Sequence, residues 1–261
     1  MTKYVRYRCQ QIVRFGELRD REIHPLQGTF GALLPSHESP IGLDEVELLA
    51  PTVPTKIIAI GPNYKVYFPQ GGAPSQPMLW TKPATCLNGP EGTIDLPPGH
   101  TINHEVELAI VIGKRAKDVE LSKAHDYIFG FTCMNDVTAG DFSTPGAFPS
   151  SHYFVDGKIF DTFAPLGPCI ISDLDVSNLH MESRVNGVVR QSHSTSDFLF
   201  SPDFLVTMIS NVMTLLPGDV ISTGSPPGVG VISHGDTVEV EIDQIGILRN
   251  YARNKNRGPK T

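Results

Sequence analysis

Residues 104–113 read His-Glu-Val-Glu-Leu-Ala-Ile-Val-Ile-Gly, and this stretch decides the fold. Charged and apolar residues alternate at its start, and an uninterrupted apolar run follows. Successive side chains of a strand point to opposite faces, so this pattern is typical of a strand that enters a buried sheet. The same geometry places Glu105 and Glu107 side by side on one face.

Two neighbouring carboxylates at the edge of a core predict a positively charged partner. Like charges raise each other's pKa unless a cation lies between them, and Mg²⁺ and Ca²⁺ prefer carboxylate oxygens. Asp136, in the strand-like run 131–138, is the best candidate for a third ligand. The segment 119–126, between these two predicted strands, has about the length that a crossover connection needs, which would make the strands neighbours. The alternative is a solvated Glu-x-Glu face and an Asn-Asp turn, since unpaired carboxylates are seldom buried.

Composition bounds the class of protein. The chain has 261 residues, 40% hydrophobic and 19% charged, which predicts a globular protein. The strand and turn pattern of residues 1–50, followed by the prolines at 51 and 54, predicts a small β-rich N-terminal domain over 1–50 and a main domain over 51–261. The net charge of −7 argues against nucleic acid as a partner, and the lack of a long apolar run argues against a membrane. Four scattered cysteines and the absence of a secretory signal favour a cytoplasmic location.

Many turn residues are spread along the chain, with 24 glycines and 22 prolines. They favour short strands and few long helices. Near the N-terminus the pattern predicts extended segments with a turn at Phe15-Gly16. Residues 201–215 predict a helix, capped by Ser201 with Pro202 in its first turn. The turn-rich segment 63–77 is long for a compact domain, which predicts a mobile flap.

Several strings between about residues 56 and 250 occur together in one known family. They are Gly61-Pro62-Asn63-Tyr64, the His-Glu-Val-Glu-Leu strand, Gly130-Phe131-Thr132 with Asn135-Asp136-Val137-Thr138-Ala139, Gly157-Lys158 through Gly167-Pro168, Val185-Asn186-Gly187 with Gln191, Leu216-Pro217-Gly218-Asp219, Thr223-Gly224-Ser225-Pro226-Pro227-Gly228, and Gly235-Asp236 with Ile245-Gly246 through Asn250. On these strings the chain resembles the fumarylacetoacetate hydrolase superfamily. Residues 1–50 resemble the short N-terminal domain that many members carry.

The resemblance implies a mainly β fold with some α, a mixed β-sandwich roll that usually forms a homodimer and holds Mg²⁺, Mn²⁺ or Ca²⁺. It implies that Glu105, Glu107 and Asp136 are the metal ligands and that Lys158 neutralises negative charge on a substrate oxygen. Without it, Lys158 would be interpreted as a surface lysine whose stem lies on the protein. Further residues are implied to lie near the substrate: Tyr64, Tyr67 and Gln70 of the flap, and Thr223 and Ser225 of a small loop. Their alternatives are ordinary packing and a Gly/Pro turn.

Departures from the family pattern bear on the reaction. Hydrolytic members are expected to carry a water-activating His and Glu where this chain has Tyr67 and Gln70, and neither residue is a general base near neutral pH. Gly140 and Ser143 stand where Arg and Gln are usual, which removes a carboxylate clamp. A group of aromatic and histidine residues favours a bulkier ligand, with core packing as the alternative: Phe142, Phe148, His152, Tyr153 and Phe154.

The sequence therefore predicts a metal-dependent enzyme that acts through an enolate on a 2-oxo acid, a β-keto acid or a 1,3-dicarbonyl compound. The missing dyad favours a decarboxylase (lyase) or a tautomerase (isomerase). A C–C bond hydrolase that uses another base, such as His152, is the first alternative. An inactive ligand-binding member and a carbohydrate-binding β-sandwich are the others, although neither requires three mutually repelling carboxylates.

Overall fold

The computed structural model describes residues 1–143 and 156–255. Within these ranges the chain is mainly β, as predicted. The N-terminal strands are β1 Lys3–Cys9, β2 Ile12–Arg19, β3 Glu22–Thr29, β4 Ala32–Pro35, β5 Ile41–Gly42 and β6 Glu47–Leu49. The middle strands are β7 Ile57–Gly61, β8 Met78–Lys82, β9 Leu87–Asn88, β10 Thr93–Leu96, β11 Ile102–His104, β12 Val106–Ile112, β13 Ile128–Asn135, β14 Thr138–Ala139 and β15 Ala164–Ile171. The last strands are β16 His180–Val185, β17 Val188–Ser194, β18 Val220–Ser222, β19 Gly230–Ile232, β20 Thr237–Ile242 and β21 Gly246–Asn254.

The N-terminal strands form antiparallel hairpins, and their turns differ from the predicted one. The chain turns at Gln10 and at Asp20, both with a left-handed φ (54° and 53°), and not at residues 15–16. Gly16 lies inside β2, where a Cβ atom would come within 2.3 Å of the Ile23 side chain. The glycine that suggested a turn is therefore required by close packing between neighbouring strands.

These hairpins continue into the sheet whose strands contain several of the strings that resemble the fumarylacetoacetate hydrolase superfamily. The path runs β4-β3-β2-β1-β15-β13-β12-β18-β7-β8, with β1 antiparallel to β15. Because the backbone hydrogen bonds cross the proposed boundary, the division into domains 1–50 and 51–261 stays a prediction. The β12 strand, which contains the apolar run, is buried along its whole length.

Strands β12 and β13 are neighbours, but they are antiparallel. The prediction of a crossover connection is therefore wrong, because crossovers join parallel strands. The connection instead contains a 3₁₀ helix, Leu121–Tyr127. The register pairs Val106 with Asn135 and Glu107 with Met134. It therefore brings the start of β12 beside the end of β13, which is where the acidic residues lie.

A second sheet, β10-β21-β20-β16-β17, covers the first, and β14-β11-β19 form a small third sheet. One apolar cluster joins the two larger sheets, with Leu108 and Ile110 on one side and Met181 and Val240 on the other. The predicted helix is present as Pro202–Val212, and the Ser201 hydroxyl accepts a hydrogen bond from the Phe204 N–H. Its buried apolar residues, Leu205, Val206 and Ile209, belong to this cluster. In the part of the chain that the structure describes, no helix is long and apolar enough to cross a membrane.

Candidate active site

The three acidic residues singled out in the sequence meet where β12 begins and β13 ends. One carboxylate oxygen from each of Glu105, Glu107 and Asp136 lies within 4.8 Å of the other two. The Glu105 N–H donates to Asn135 Oδ1 (2.9 Å), and the Asp136 N–H donates to the Glu105 carbonyl (2.9 Å). These two hydrogen bonds join the ends of the strands and hold the cluster together. The alternative of a solvated Glu-x-Glu face is wrong here, because Glu107 and Asp136 are buried.

Glu107 is almost fully buried, at 1% exposure, and has two neutral hydrogen-bond donors. The Ser222 hydroxyl and the Gly224 N–H (2.8 Å) both donate to its Oε2 atom. Gly224 has a φ of 89°, which lets its N–H turn toward the carboxylate. Burial, followed by the charges of Asp136 and Glu105, raises the pKa of Glu107 well above its ordinary value. A positive partner would relieve this repulsion.

Lys158 lies inside the cluster and not on the surface. It is 2% exposed, and its Nζ donates to Asp136 Oδ2 (2.5 Å), Thr138 Oγ1 (2.7 Å) and Glu105 Oε1 (3.1 Å). Burial lowers the pKa of Lys158, but the Asp136, Glu105 and Glu107 charges outweigh it and raise that pKa above its ordinary value. The ammonium also lies 5.1 Å from the Trp80 ring centroid. Lys158 is therefore a positively charged hydrogen-bond donor beside all three carboxylates.

The structure adds a second lysine that the sequence reasoning missed. Lys82 is fully buried at the end of β8, and its Nζ donates to Asp136 Oδ1 (2.5 Å) and the Val137 carbonyl (3.1 Å). Burial lowers the pKa of Lys82, and the Asp136 charge opposes that effect. The available signal was the alternation within Met78–Lys82, which puts Lys82 on the same buried face as Trp80.

Asp136 thus has a lysine on each carboxylate oxygen. Burial works to raise the pKa of Asp136, but the Lys158 and Lys82 charges together outweigh it and lower that pKa. Asp136 stays ionised although it is fully buried.

The loop after β18 borders the cluster and contains two predicted substrate residues. Thr223 is buried, and its hydroxyl donates to the Leu108 carbonyl (2.8 Å). Ser225 is half-buried, and its Oγ accepts from Gln191 Nε2 (2.8 Å). The Gln191 Oε1 atom in turn accepts from the Val106 N–H (2.9 Å). Gln191 therefore fixes this loop to the start of β12.

The first part of the predicted flap is fixed to the same loop. The Asn63 side chain donates to the Thr223 carbonyl (2.8 Å) and accepts from the Phe200 N–H (2.7 Å). Tyr64 is fully buried, with its hydroxyl 3.5 Å from Met181 Sδ. Burial, and next the Glu107 charge, raise the pKa of Tyr64 well above its ordinary value, so the phenol stays neutral.

The two residues at the positions of the missing dyad lie apart from the acidic cluster. Tyr67 is 42% exposed, and its hydroxyl donates to the Ser225 carbonyl (3.1 Å). Gln70 is exposed, and no hydrogen bond of its side chain joins it to the described part of the site. The roles of Tyr64, Tyr67, Gln70, Thr223 and Ser225 toward a substrate stay predictions, as does the mobility of segment 63–77.

The Asn103 side chain leaves little room for a side chain at position 140. A Cβ atom there would lie 2.3 Å from Asn103 Nδ2, so the usual arginine would require Asn103 to move. The remaining candidates lie outside the described residues: Phe148, His152, Tyr153 and Phe154, together with the side chains of Phe142 and Ser143.

The donor set fits a hard divalent cation. Three carboxylates converge, two of them buried, and oxygen is the ligand atom that Mg²⁺, Mn²⁺ and Ca²⁺ favour. The residues that would hold the ion are Glu105, Glu107 and Asp136, with Lys158 beside it.

Comparison with known proteins agrees with this arrangement. Residues 56–253 match the model of the fumarylacetoacetate (FAA) hydrolase C-terminal family, and residues 2–51 match an Rv2993c-like N-terminal model. An uncharacterized protein from Archaeoglobus fulgidus is 44% identical over 87% of this chain and 91% of its own length. The mitochondrial oxaloacetate tautomerase FAHD2A of Bos taurus is 40% identical over 79% of this chain and 69% of its own.

Solved structures share the fold. A 2-hydroxyhepta-2,4-diene-1,7-dioate isomerase from Mycobacterium marinum has 35% identity and a TM-score of 0.89, covering 98% of this chain and 100% of its own. A maleylpyruvate hydrolase from Sphingobium sp. SYK-6, in complex with manganese (II) and pyruvate, has 30% identity and a TM-score of 0.79, covering 97% and 100%. The manganese of that protein and the acidic cluster here both indicate a divalent metal centre. The predicted family and β-roll fold are confirmed, and the chain is an enzyme of the fumarylacetoacetate hydrolase family.

Proposed function

We propose that this enzyme catalyses keto–enol tautomerisation of a 2-oxo acid. The observation that carries the proposal is the buried set of Glu105, Glu107, Asp136 and Lys158, combined with Tyr67 and Gln70 in place of a water-activating pair. Stabilising an enolate is sufficient for tautomerisation, whereas hydrolysis also needs an activated water. The tautomerase and isomerase among the relatives support this choice.

Mg²⁺ is the proposed ion, with Mn²⁺ or Ca²⁺ as substitutes, held by Glu105, Glu107 and Asp136. When bound, it supplies Lewis-acid charge that favours the enolate form of a chelating 2-oxo acid. Glu107 is held by Ser222 and Gly224, so this ligand is oriented before any ion binds. A homodimer is proposed as well, as the family resemblance implies.

Lys158 is proposed to donate a hydrogen bond to the substrate oxygen on which negative charge develops. Its raised pKa keeps the Nζ atom protonated, which makes it a donor and not a general base. The Thr138 hydroxyl and the two carboxylates fix its position. Loop 223–225, tied to β12 through Gln191, is proposed to border the substrate on its other side.

Decarboxylation of a β-keto acid remains a second candidate because it passes through the same enolate. Hydrolysis is the third, and the maleylpyruvate hydrolase among the structural relatives supports it. Tyr67 argues against hydrolysis, because its hydroxyl donates a hydrogen bond to the Ser225 carbonyl and a tyrosine does not activate water as a His–Glu pair does.

The test follows one substrate through two competing reactions. Enol oxaloacetate is mixed with the protein, loss of its ultraviolet absorbance measures tautomerisation, and pyruvate formation measures decarboxylation. We expect Mg²⁺-dependent loss of the enol without matching pyruvate, abolished by EDTA and by Glu107→Gln. Asp141→Asn is the control, because this carboxylate pairs with His100 outside the cluster. Stoichiometric pyruvate would assign the protein to the decarboxylases instead.

A further inference from the structure

Lys82 and Lys158 contact the same carboxylate but differ in their surroundings. Lys158 has three side-chain acceptors, Asp136, Glu105 and Thr138. Lys82 comes from a different strand and has Asp136 Oδ1 as its charged partner, with the Val137 carbonyl as its second acceptor. Lys82 is therefore fixed behind Asp136, whereas Lys158 lies among all the ligands.

The two ammonium groups change the charge of the centre. With all three carboxylates ionised, as they would be when a cation is bound, three carboxylates and two lysines sum to one unit of negative charge. One divalent cation would then make the loaded centre one unit positive. Without Lys82 the same loaded centre would be neutral. Because these groups are buried, solvent screens this difference far less than it would at a surface.

We infer that Lys82 is a specificity-determining positioning residue: its fixed charge behind Asp136 keeps the ion-loaded centre cationic, so that anionic chelating ligands bind in preference to neutral ones. The inference rests on the metal site of the proposed function. Lys82 is not assigned a contact with the substrate. It acts through Asp136, by holding one carboxylate oxygen and by its charge.

The same sheet provides a matched control. Lys56, which precedes β7, pairs with the buried Asp219, and neither residue belongs to the acidic cluster. Lys56→Met therefore removes a lysine from a buried aspartate without changing the charge of the centre. Lys82→Arg is the conservative variant, because it keeps the positive charge at this position.

The experiment measures binding to the Mn²⁺-loaded protein with two bidentate oxygen ligands: oxalate, a dianion, and glycolamide, which chelates through a hydroxyl and an amide oxygen and stays neutral. Trp80, the single tryptophan of the chain, lies beside Lys158 and reports binding by fluorescence. In Lys82→Met we expect oxalate affinity to fall about tenfold or more relative to the neutral ligand, with Mn²⁺ affinity kept or increased. Lys82→Arg should recover most of the oxalate preference, and Lys56→Met should keep all of it.

Equal losses for both ligands in Lys82→Met would show a merely structural role and overturn the inference. An unchanged ratio would overturn it too. If Lys82→Met does not fold, the same ratio measured on Lys82→Gln decides between these results. A wild-type protein that binds no Mn²⁺ would instead overturn the metal site of the proposed function, so the two failures are distinguishable.

Discussion

Asp136 and Asp219 are both fully buried, and both are paired with lysine, yet their surroundings differ. Asp219 accepts hydrogen bonds from the Thr55 N–H (3.0 Å) and hydroxyl (2.7 Å) and from the Leu216 N–H (2.8 Å). Its partners are donors that close a turn. Asp136 instead lies against two further carboxylates as well as two lysines. One site stabilises a fold, whereas the other concentrates repelling charge in a way that folding alone does not require.

The largest expected effect separates these two roles. Asp136→Asn should reduce metal-dependent tautomerisation by about 10³-fold or more, because a ligand and its charge are lost. Asp219→Asn should leave activity per folded molecule unchanged and lower the free energy of unfolding by about 3–5 kcal/mol, as expected when one partner of a buried ion pair is removed. Rates and denaturant unfolding of both variants measure this. Similar profiles for the two variants would contradict the distinction.

The next effect concerns Tyr67 and Gln70, the two positions where hydrolytic members of the family are expected to carry the water-activating pair. The double substitution Tyr67→His with Gln70→Glu should raise the rate of hydrolysis of small acylpyruvates by about 10²–10⁴-fold, which is the usual contribution of a positioned general base. Product analysis of the variant and the parent measures the gain. Efficient hydrolysis by the unmodified protein, unchanged by the substitutions, would show that another base serves, with His152 the first candidate.

An effect of intermediate size is the dependence of protein stability on pH, which follows from the pKa of Glu107. Its pKa is higher in the folded chain than the ordinary 4.5, so the folded state retains a proton that the unfolded state loses. Stability of the EDTA-treated protein should therefore fall as pH rises through the window above 4.5. The lowered pKa of Asp136 acts at lower pH, because its contribution to stability is present above the ordinary pKa of 3.8 and is lost as pH falls below that value.

Thermal unfolding between about pH 5 and pH 8, with EDTA or with Mg²⁺, measures this slope. The increase in Tm that Mg²⁺ produces should grow with pH, because binding the ion removes the proton from Glu107. Glu107→Gln should flatten the EDTA slope. An Mg²⁺ effect independent of pH, or an unchanged slope in the variant, would argue against a titrating Glu107.

The smallest expected effect comes from Tyr67→Phe, which removes one hydrogen bond to the Ser225 carbonyl. A single neutral bond contributes about 0.5–1.5 kcal/mol, so KM should change less than about tenfold with kcat nearly constant. Steady-state kinetics measures this. A large fall in kcat would place the tyrosine hydroxyl in the chemistry itself.

Local sequence pattern could locate the residues that lie on strands and helices in which apolar and polar side chains recur with a clear period. Alternation placed Glu105 and Glu107 on one face, and capping signals located the helix at Ser201. Lys82 was missed because a lysine at a strand end is ordinarily solvated, and its carboxylate partner is 54 residues away. Gly16 misled the turn prediction because close strand packing and left-handed turns both select glycine.

The central claim is that the buried acidic cluster binds one divalent cation, and calorimetric titration of the protein with Mn²⁺ tests it most directly. We predict one site per chain in the wild type, loss of that site in Asp136→Asn, and an unchanged site in folded Asp219→Asn. Equal binding by the wild type and Asp136→Asn, or no binding by the wild type, would contradict the account.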